Sequence, residues 1–205
     1  MSQTKMQTEI EVKFLNIDFE VIRTKLIAVG GELVLPMRLM RRVVVDFPGR
    51  KMQSQDNAWV RVRDEGDKIT LTYKTSIENK FGGATEIEVT VSDYDKTIEL
   101  FKAIGMQVFT DQETKRETWM IDDVEVVLDE WPWLRPFIEI EGTSEQKVMD
   151  VAKKLGLEWK DAVFGSVTTA YRAQYPKITK DEFISSLPEI KFSTQLPAWF
   201  EIGQP

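Results

Sequence analysis

The chain has 205 residues, 42% of them hydrophobic, enough to bury the core of one large domain or of two small ones. Lys and Arg number 27 against 34 Asp and Glu, and the resulting charge of −7 argues against general nucleic-acid or anionic-membrane binding while leaving room for a local basic pocket. Cys and His are both absent, which excludes disulfides, thiolate nucleophiles, Ser-His-Asp triads and sulfur or imidazole metal ligands; any metal is held by oxygen, favouring Mg, Mn or Ca, and acid–base work falls to Glu, Asp, Lys and Tyr.

In chain order, Glu9–Phe14 alternates charged and apolar residues and reads as a strand. Asp18–Val29 reads as a helix, capped by Asp18 and ended by Gly30-Gly31. Leu33–Leu35 and Met40–Phe47 read as two strands, and the polar stretch Pro48–Asn57 as a loop. Ala58–Arg63 and Lys68–Lys74 form a hairpin about a turn at Asp64–Asp67. Ser76–Gly83 is a loop, Ala84–Val91 a strand and Asp93–Ile104 a helix stopped by Gly105. Gln107–Phe109, Glu113–Ile121, Glu125–Asp129 and Phe137–Glu141 read as further strands, and Ser144–Leu155 as a helix stopped by Gly156. Beyond Tyr175-Pro176 comes a tail with a short helix near Asp181–Leu187 and a Pro- and aromatic-rich end that packs on the sheet, acts as a lid or meets a partner.

Three times a Glu-x-Glu strand is followed by a helix and a glycine: Glu9/Glu11 to Gly30, Glu86/Glu88 to Gly105, and Glu139/Glu141 to Gly156. Many strands and few helices indicate the α+β class with a mostly antiparallel sheet. Residues 1–175 form one domain and 176–205 a tail. No apolar leader or membrane-length apolar run is visible, so a cytoplasmic protein without membrane or nucleic-acid partners is expected.

Side chains two apart on a strand share a face. On that rule Glu9, Glu11 and Lys13 stand together, as do Arg61 and Arg63 (with Trp59), Glu86 and Glu88, and Glu139 and Glu141. Lys74, Arg116 and Asp129 add one charge each from their own strands. Any one strand taken alone reads first as the solvated face of an amphipathic sheet. Together, however, the strands divide by sign, whereas a merely solvated face mixes signs for solubility and cross-strand pairing. Segregation suits a ligand that is anionic in one part and metal-bridged in another, which describes a polyphosphate: Arg binds phosphate oxygens bidentately, and carboxylates hold a hard cation beside them.

The series Glu-x-Glu-x-Lys, Arg-x-Arg, Leu-Thr-x-Lys, Glu-x-Glu, Leu-Asp, Glu-x-Glu resembles the CYTH superfamily, the triphosphate tunnel metalloenzymes, from Glu9 to about Tyr175. The resemblance implies an eight-stranded antiparallel β-barrel, a tunnel with helices packed outside. It implies that Lys13, Arg61, Arg63, Lys74 and Arg116 bind the triphosphate; that Glu9, Glu11, Asp129, Glu139 and Glu141 hold Mg or Mn, two ions in all; and that Glu86 and Glu88 support them. Glu9, Glu11 and Lys13 then stand at the chemistry. The implied function is metal-dependent hydrolysis of a small linear triphosphate, with class IV adenylyl cyclase activity or non-catalytic polyphosphate binding as alternatives, and a homodimer among the allowed states. Departures from the family pattern are Thr114 where a lysine is expected and Arg41-Arg42-Val43-Val44-Val45-Asp46 after the first helix, where only Asp46 matches. Arg41 or Arg42 is a candidate to supply the missing positive charge, parity does not choose between them, and either reads equally as an exposed strand-end arginine. Trp131-Pro132-Trp133 is expected to anchor a turn rather than to stack a base.

Overall fold

The computed structural model describes residues 7–8, 10–76, 84–178, 186–197 and 200. Glu9 and most of the helix expected near Asp181–Leu187 therefore lie outside the described residues. The strands are β1 (Gln7–Thr8), β2 (Ile10–Leu15), β3 (Glu32–Asp46), β4 (Ala58–Asp64), β5 (Ile69–Ser76), β6 (Ala84–Val91), β7 (Gln107–Ile121), β8 (Val124–Glu130), β9 (Phe137–Gly142) and the short β10 (Glu189–Ile190). The helices are α1 (Phe19–Ala28), α2 (Lys51–Asp56), α3 (Tyr94–Ala103), α4 (Glu145–Lys154) and α5 (Val167–Gln174). Among the described residues no helix is long and apolar enough to cross a membrane.

The sheet runs β1-β6-β5-β4-β3-β7-β8-β9-β2, every neighbouring pair antiparallel. Its two ends are consecutive pieces of chain. Gln7 and Thr8 pair with Glu86 and Thr85 of β6, while Ile10–Leu15 pairs with β9. The opening segment thus brings the two edges of the sheet together, and the architecture is a barrel-like tunnel of eight antiparallel strands once β1 and β2 are taken as one. Val163 covers part of the remaining edge of β2, exchanging backbone hydrogen bonds with Lys13 at 2.9 and 2.8 Å.

The apolar faces of most strands point outward, under the helices, while Ile87 and Val89 on the outer face of β6 are exposed. α1 and α4 cover Val12, Phe14, Val126, Leu128, Ile138 and Ile140 with Ile22, Leu26, Val148 and Val151. α3 covers Val43, Val45, Val60 and Val62 with Tyr94 and Ile98. Burying each such side chain contributes roughly 1.5–3 kcal/mol. A third cluster joins Trp131 and Phe137 to Tyr171, Tyr175, Ile190 and Phe200, so α5 and the tail pack on the sheet at the ends of β8 and β9. There β10 adds to β7 as a parallel strand, beside Asp111 and Gln112.

Three details differ from the sequence reading. β3 and β7 are each one continuous strand of 15 residues, not two short ones. The stretch 48–57 is not all loop, because Asp46 accepts the backbone N–H groups of Met52 and Gln53 at 2.9 and 3.0 Å and fixes the start of α2. Asp46 is spent on that cap. Finally, α5 and the parallel β10 carry no strong sequence signal.

Candidate active site

With the apolar faces outward, the charged faces turn into the tunnel. Strand register then decides which charges meet. On one wall β2, β9 and β8 place Glu11 opposite Glu141, and Glu141 opposite Glu125. On the other, Arg42 of β3 stands opposite Arg63 of β4, and Arg38 opposite Arg116 of β7. Like charges directly across a ladder destabilise a sheet, so neither row is a stability device.

Several of these side chains are held by partners within the wall. Lys13, 1% exposed, donates to Glu11 and to the Gly165 carbonyl at 2.7 Å, and lies 3.2 Å from Glu139. Burial disfavours its charge, but Glu139 and Glu11 outweigh burial and raise its pKa above the ordinary lysine value. Arg116 grips both oxygens of Asp129, at 2.7 and 2.5 Å, and reaches Glu139 at 2.8 Å. Burial again opposes the charge, and Asp129 with Glu139 overcomes it. Lys74 meets Glu86 at 2.5 Å, its neighbour across β5 and β6. Arg63 donates to Glu65 at 2.9 and 2.6 Å, and Glu65 also accepts from Thr70.

The remaining charges are poorly balanced. Arg61 donates to Thr72 at 3.2 Å and lies 3.5 Å from Glu88, while its Nε is buried without a hydrogen-bond partner. Burial and the nearby Arg63 pull its pKa down to about 9, against the pull of Glu88 and Glu86. On the acidic wall, burial and Glu139 push the Glu11 carboxyl up to about 7, Lys13 opposing. Burial and Glu141 likewise raise Glu125, against Arg116. The tunnel therefore holds an excess of positive charge on β3 and β4 and an excess of negative charge on β2, β9 and β8. The first suits an anion. The second suits a hard cation, since every candidate donor is a carboxylate oxygen. Among the described residues no three acids form a ready-made metal cluster. Asp129 and Glu139 lean on Arg116, Glu11 on Lys13, and Glu9 lies outside the described residues.

Every described candidate from the sequence thus stands on a tunnel-facing position: Glu11, Lys13, Arg61, Arg63, Lys74, Glu86, Glu88, Arg116, Asp129, Glu139 and Glu141. Arg38, Glu65 and Glu125 join them unassigned. The choice between Arg41 and Arg42 is resolved by register. Arg41 is exposed, donating to Asp64 at 3.1 Å and covering the Tyr94 ring at 4.5 Å, while Arg42 points inward. The missing lysine is not made up from the next position. Thr114 is buried, and Lys115 faces away to Glu130 and the Phe192 ring. Trp131 and Trp133 are packing residues. Trp131 lies under Arg42, and Trp133 donates to the Thr194 carbonyl at 3.0 Å.

Comparison with known proteins shows the family and the fold. The model of the CYTH domain family matches residues 7–166, more than half of the chain. A curated protein of Methanocaldococcus jannaschii, provisionally named an adenylate cyclase, is 25% identical over 147 residues, 71% of this chain and 81% of its own. A solved structure from Pyrococcus horikoshii is 27% identical with a TM-score of 0.63, covering 76% of this chain and 94% of that one. One from Vibrio parahaemolyticus, also provisionally named an adenylate cyclase, shares the fold at 13% identity, with a TM-score of 0.69 over 79% of this chain and 96% of that one. A Hippeastrum protein, provisionally named an adenylyl cyclase and described as having a dominant triphosphatase activity, shares it at 15% identity, with a TM-score of 0.52 over 74% of this chain and 89% of that one.

Proposed function

Because this chain belongs to the CYTH domain family, we propose that it is a divalent-metal-dependent triphosphatase acting on a small linear triphosphate, tripolyphosphate or an organic triphosphate, inside its tunnel. The observation that carries the reading is that the register of the tunnel face, beside its opposite-charge pairs, sets Arg42 opposite Arg63, Arg38 opposite Arg116, and Glu141 opposite both Glu11 and Glu125. A ligand bearing both phosphate oxygens and cations relieves both rows at once.

In this reading Arg61 and Arg63 bind non-bridging phosphate oxygens bidentately, Lys74 adds a point charge, and Lys13 and Arg116 bind beside the acids. Glu65, Glu86 and Glu88 hold those bases in place. Glu11, Asp129, Glu139 and Glu141, with Glu9, would hold Mg or Mn. When bound, such ions neutralise developing phosphate charge and activate the attacking water. The chain's share of the rate is positioning and charge complementarity in a walled site, where fixed charges act more strongly than in water. The triphosphatase activity described for the Hippeastrum protein supports this use of the fold.

The adenylate cyclase name of the Methanocaldococcus relative supports a second reading, in which the ribose 3′-hydroxyl of ATP attacks and pyrophosphate leaves. One assay separates them. Purified protein is given tripolyphosphate, and separately ATP, with Mg and then Mn. Orthophosphate release is the expected result. Cyclic AMP with pyrophosphate establishes the cyclase reading, and tight binding without product reduces the protein to a capture module.

A further inference from the structure

Arg42 has a place in the tunnel that neither its local packing nor the charges around it explain. It lies in the second half of β3, facing inward, with Arg63 directly opposite on β4 and Gln112 directly opposite on β7. Its Nε donates to the Gln112 side-chain oxygen at 2.9 Å, a neutral acceptor, and its guanidinium lies 4.1 Å from the centre of the Trp131 ring. Among the described residues it forms no ion pair. Asp129 favours its charge, but both oxygens of Asp129 are gripped by Arg116. Burial, then Arg61, Arg63 and Arg116, all disfavour its charge and press its pKa well below the ordinary arginine value.

An uncompensated cation in such a position costs several kcal/mol, and a Leu or Gln fills the same space without that penalty. The guanidinium is nevertheless well oriented. Trp131 lies against one side of it, and Trp131 is itself packed edge-on with Tyr171 at 6.4 Å, whose hydroxyl donates to the Pro132 carbonyl at 2.7 Å. The ring contact covers one side of the group and Gln112 takes the Nε proton, which leaves the terminal N–H groups to bind. We propose that Arg42 is a further phosphate-binding residue of the tunnel, completing an arginine clamp with Arg61 and Arg63, and that Trp131 and Gln112 are the residues that position it. The proposal rests on the triphosphate reading above and deepens it. The clamp recognises a compact, multiply charged phosphate group, and Arg42 raises the selectivity of the tunnel for highly charged chains.

The test measures melting temperature and calorimetric affinity for tripolyphosphate in wild type, Arg42→Gln and Arg42→Lys, with Arg41→Gln as a control on the exposed face of the same strand. For Arg42→Gln the expected result is a higher melting temperature without ligand, because a buried unbalanced charge is gone. Its affinity for tripolyphosphate falls about tenfold to a hundredfold, the usual effect of losing a charged hydrogen-bond pair. Arg42→Lys recovers part of the affinity, and Arg41→Gln binds like wild type. If Arg42 serves only to pack on Trp131, Arg42→Gln instead lowers the melting temperature and leaves tripolyphosphate affinity unchanged, which overturns the proposal. Wild type that binds tripolyphosphate alongside an equally tight Arg42→Gln also overturns it while leaving the triphosphatase reading intact. Wild type that binds neither tripolyphosphate nor ATP overturns both.

Discussion

Glu65 shows how a single side chain links stability to the site. It is 4% exposed, and burial alone would raise its pKa; the charge and hydrogen bonds of Arg63, with Lys68 and Thr70, win and hold it below the ordinary glutamate value of 4.5. A carboxylate depressed on folding contributes stability that is present above its unfolded pKa and lost as pH falls through the folded one. Glu65→Gln therefore unfolds more easily at pH 7, by about 1–3 kcal/mol, and its stability declines less steeply than wild type below about pH 4.5, as urea melts across pH would record. Glu11 makes the complementary case on the acidic wall. Glu11→Ala is expected to reduce metal-dependent turnover on the order of a hundredfold while the fold persists, seen as a lost rate with an unchanged circular dichroism spectrum. At this scale alternation was a sound guide: the parity that groups Arg61 with Arg63 and Glu139 with Glu141 is the parity of the tunnel. It extends one step further to Glu65, which sits in a turn where strand alternation gives no warrant. Arg38 is hidden for a related reason: Pro36 interrupts the pattern, and the residues between Leu35 and Met40 carry no strand signal that assigns them a face.

The three long outer helices share one construction. α1 starts at Asp18, α3 at Asp93 and α4 at Ser144, each side chain accepting backbone N–H groups of the first turn. Each ends with the same closing bond, Gly31 N–H to the Leu26 carbonyl, Met106 to Phe101 and Leu157 to Ala152, at 2.8, 2.9 and 2.9 Å. The thrice-written strand, helix and glycine of the sequence is this unit, a tunnel strand followed by a helix laid outside and turned back. Gly105 has φ of +93° with nothing within 4 Å of an added Cβ, so Gly105→Ala incurs backbone strain alone. It is expected to lose about 1–2 kcal/mol in a denaturant melt with kcat unchanged, since α3 lies outside the tunnel. Caps and glycines made these helices legible. The long strands were less so. β3 pairs with β7 through register shifts near Leu33, Leu35 and Arg38, where apolar runs replace strict alternation and no two-residue period survives. The parallel β10 and the α5 cluster depend on contacts far apart in the chain, such as Ile190 beside Gln112, which no local pattern encodes.

For the molecule as a whole, the decisive feature is that consecutive pieces of the opening segment border both ends of the sheet. This turns an amphipathic sheet into a wall with its charges enclosed, and it explains how a chain of net charge −7 concentrates arginines at one place. The carboxyl-terminal cluster supports that wall from one end. Ile190 is fully buried there, and Ile190→Ala is expected to cost about 2–5 kcal/mol in thermal or chemical unfolding. The central claim is that the arginine and glutamate rows face one lumen built for a phosphate chain and its cations. Its most direct test is the affinity for tripolyphosphate, measured by calorimetry at a series of salt concentrations in wild type and Arg63→Ala. The account predicts strong binding in wild type that weakens steeply as salt rises, and weaker binding with a shallower salt dependence in Arg63→Ala. Binding that is absent in wild type, or that has the same strength and salt slope in both proteins, would contradict it.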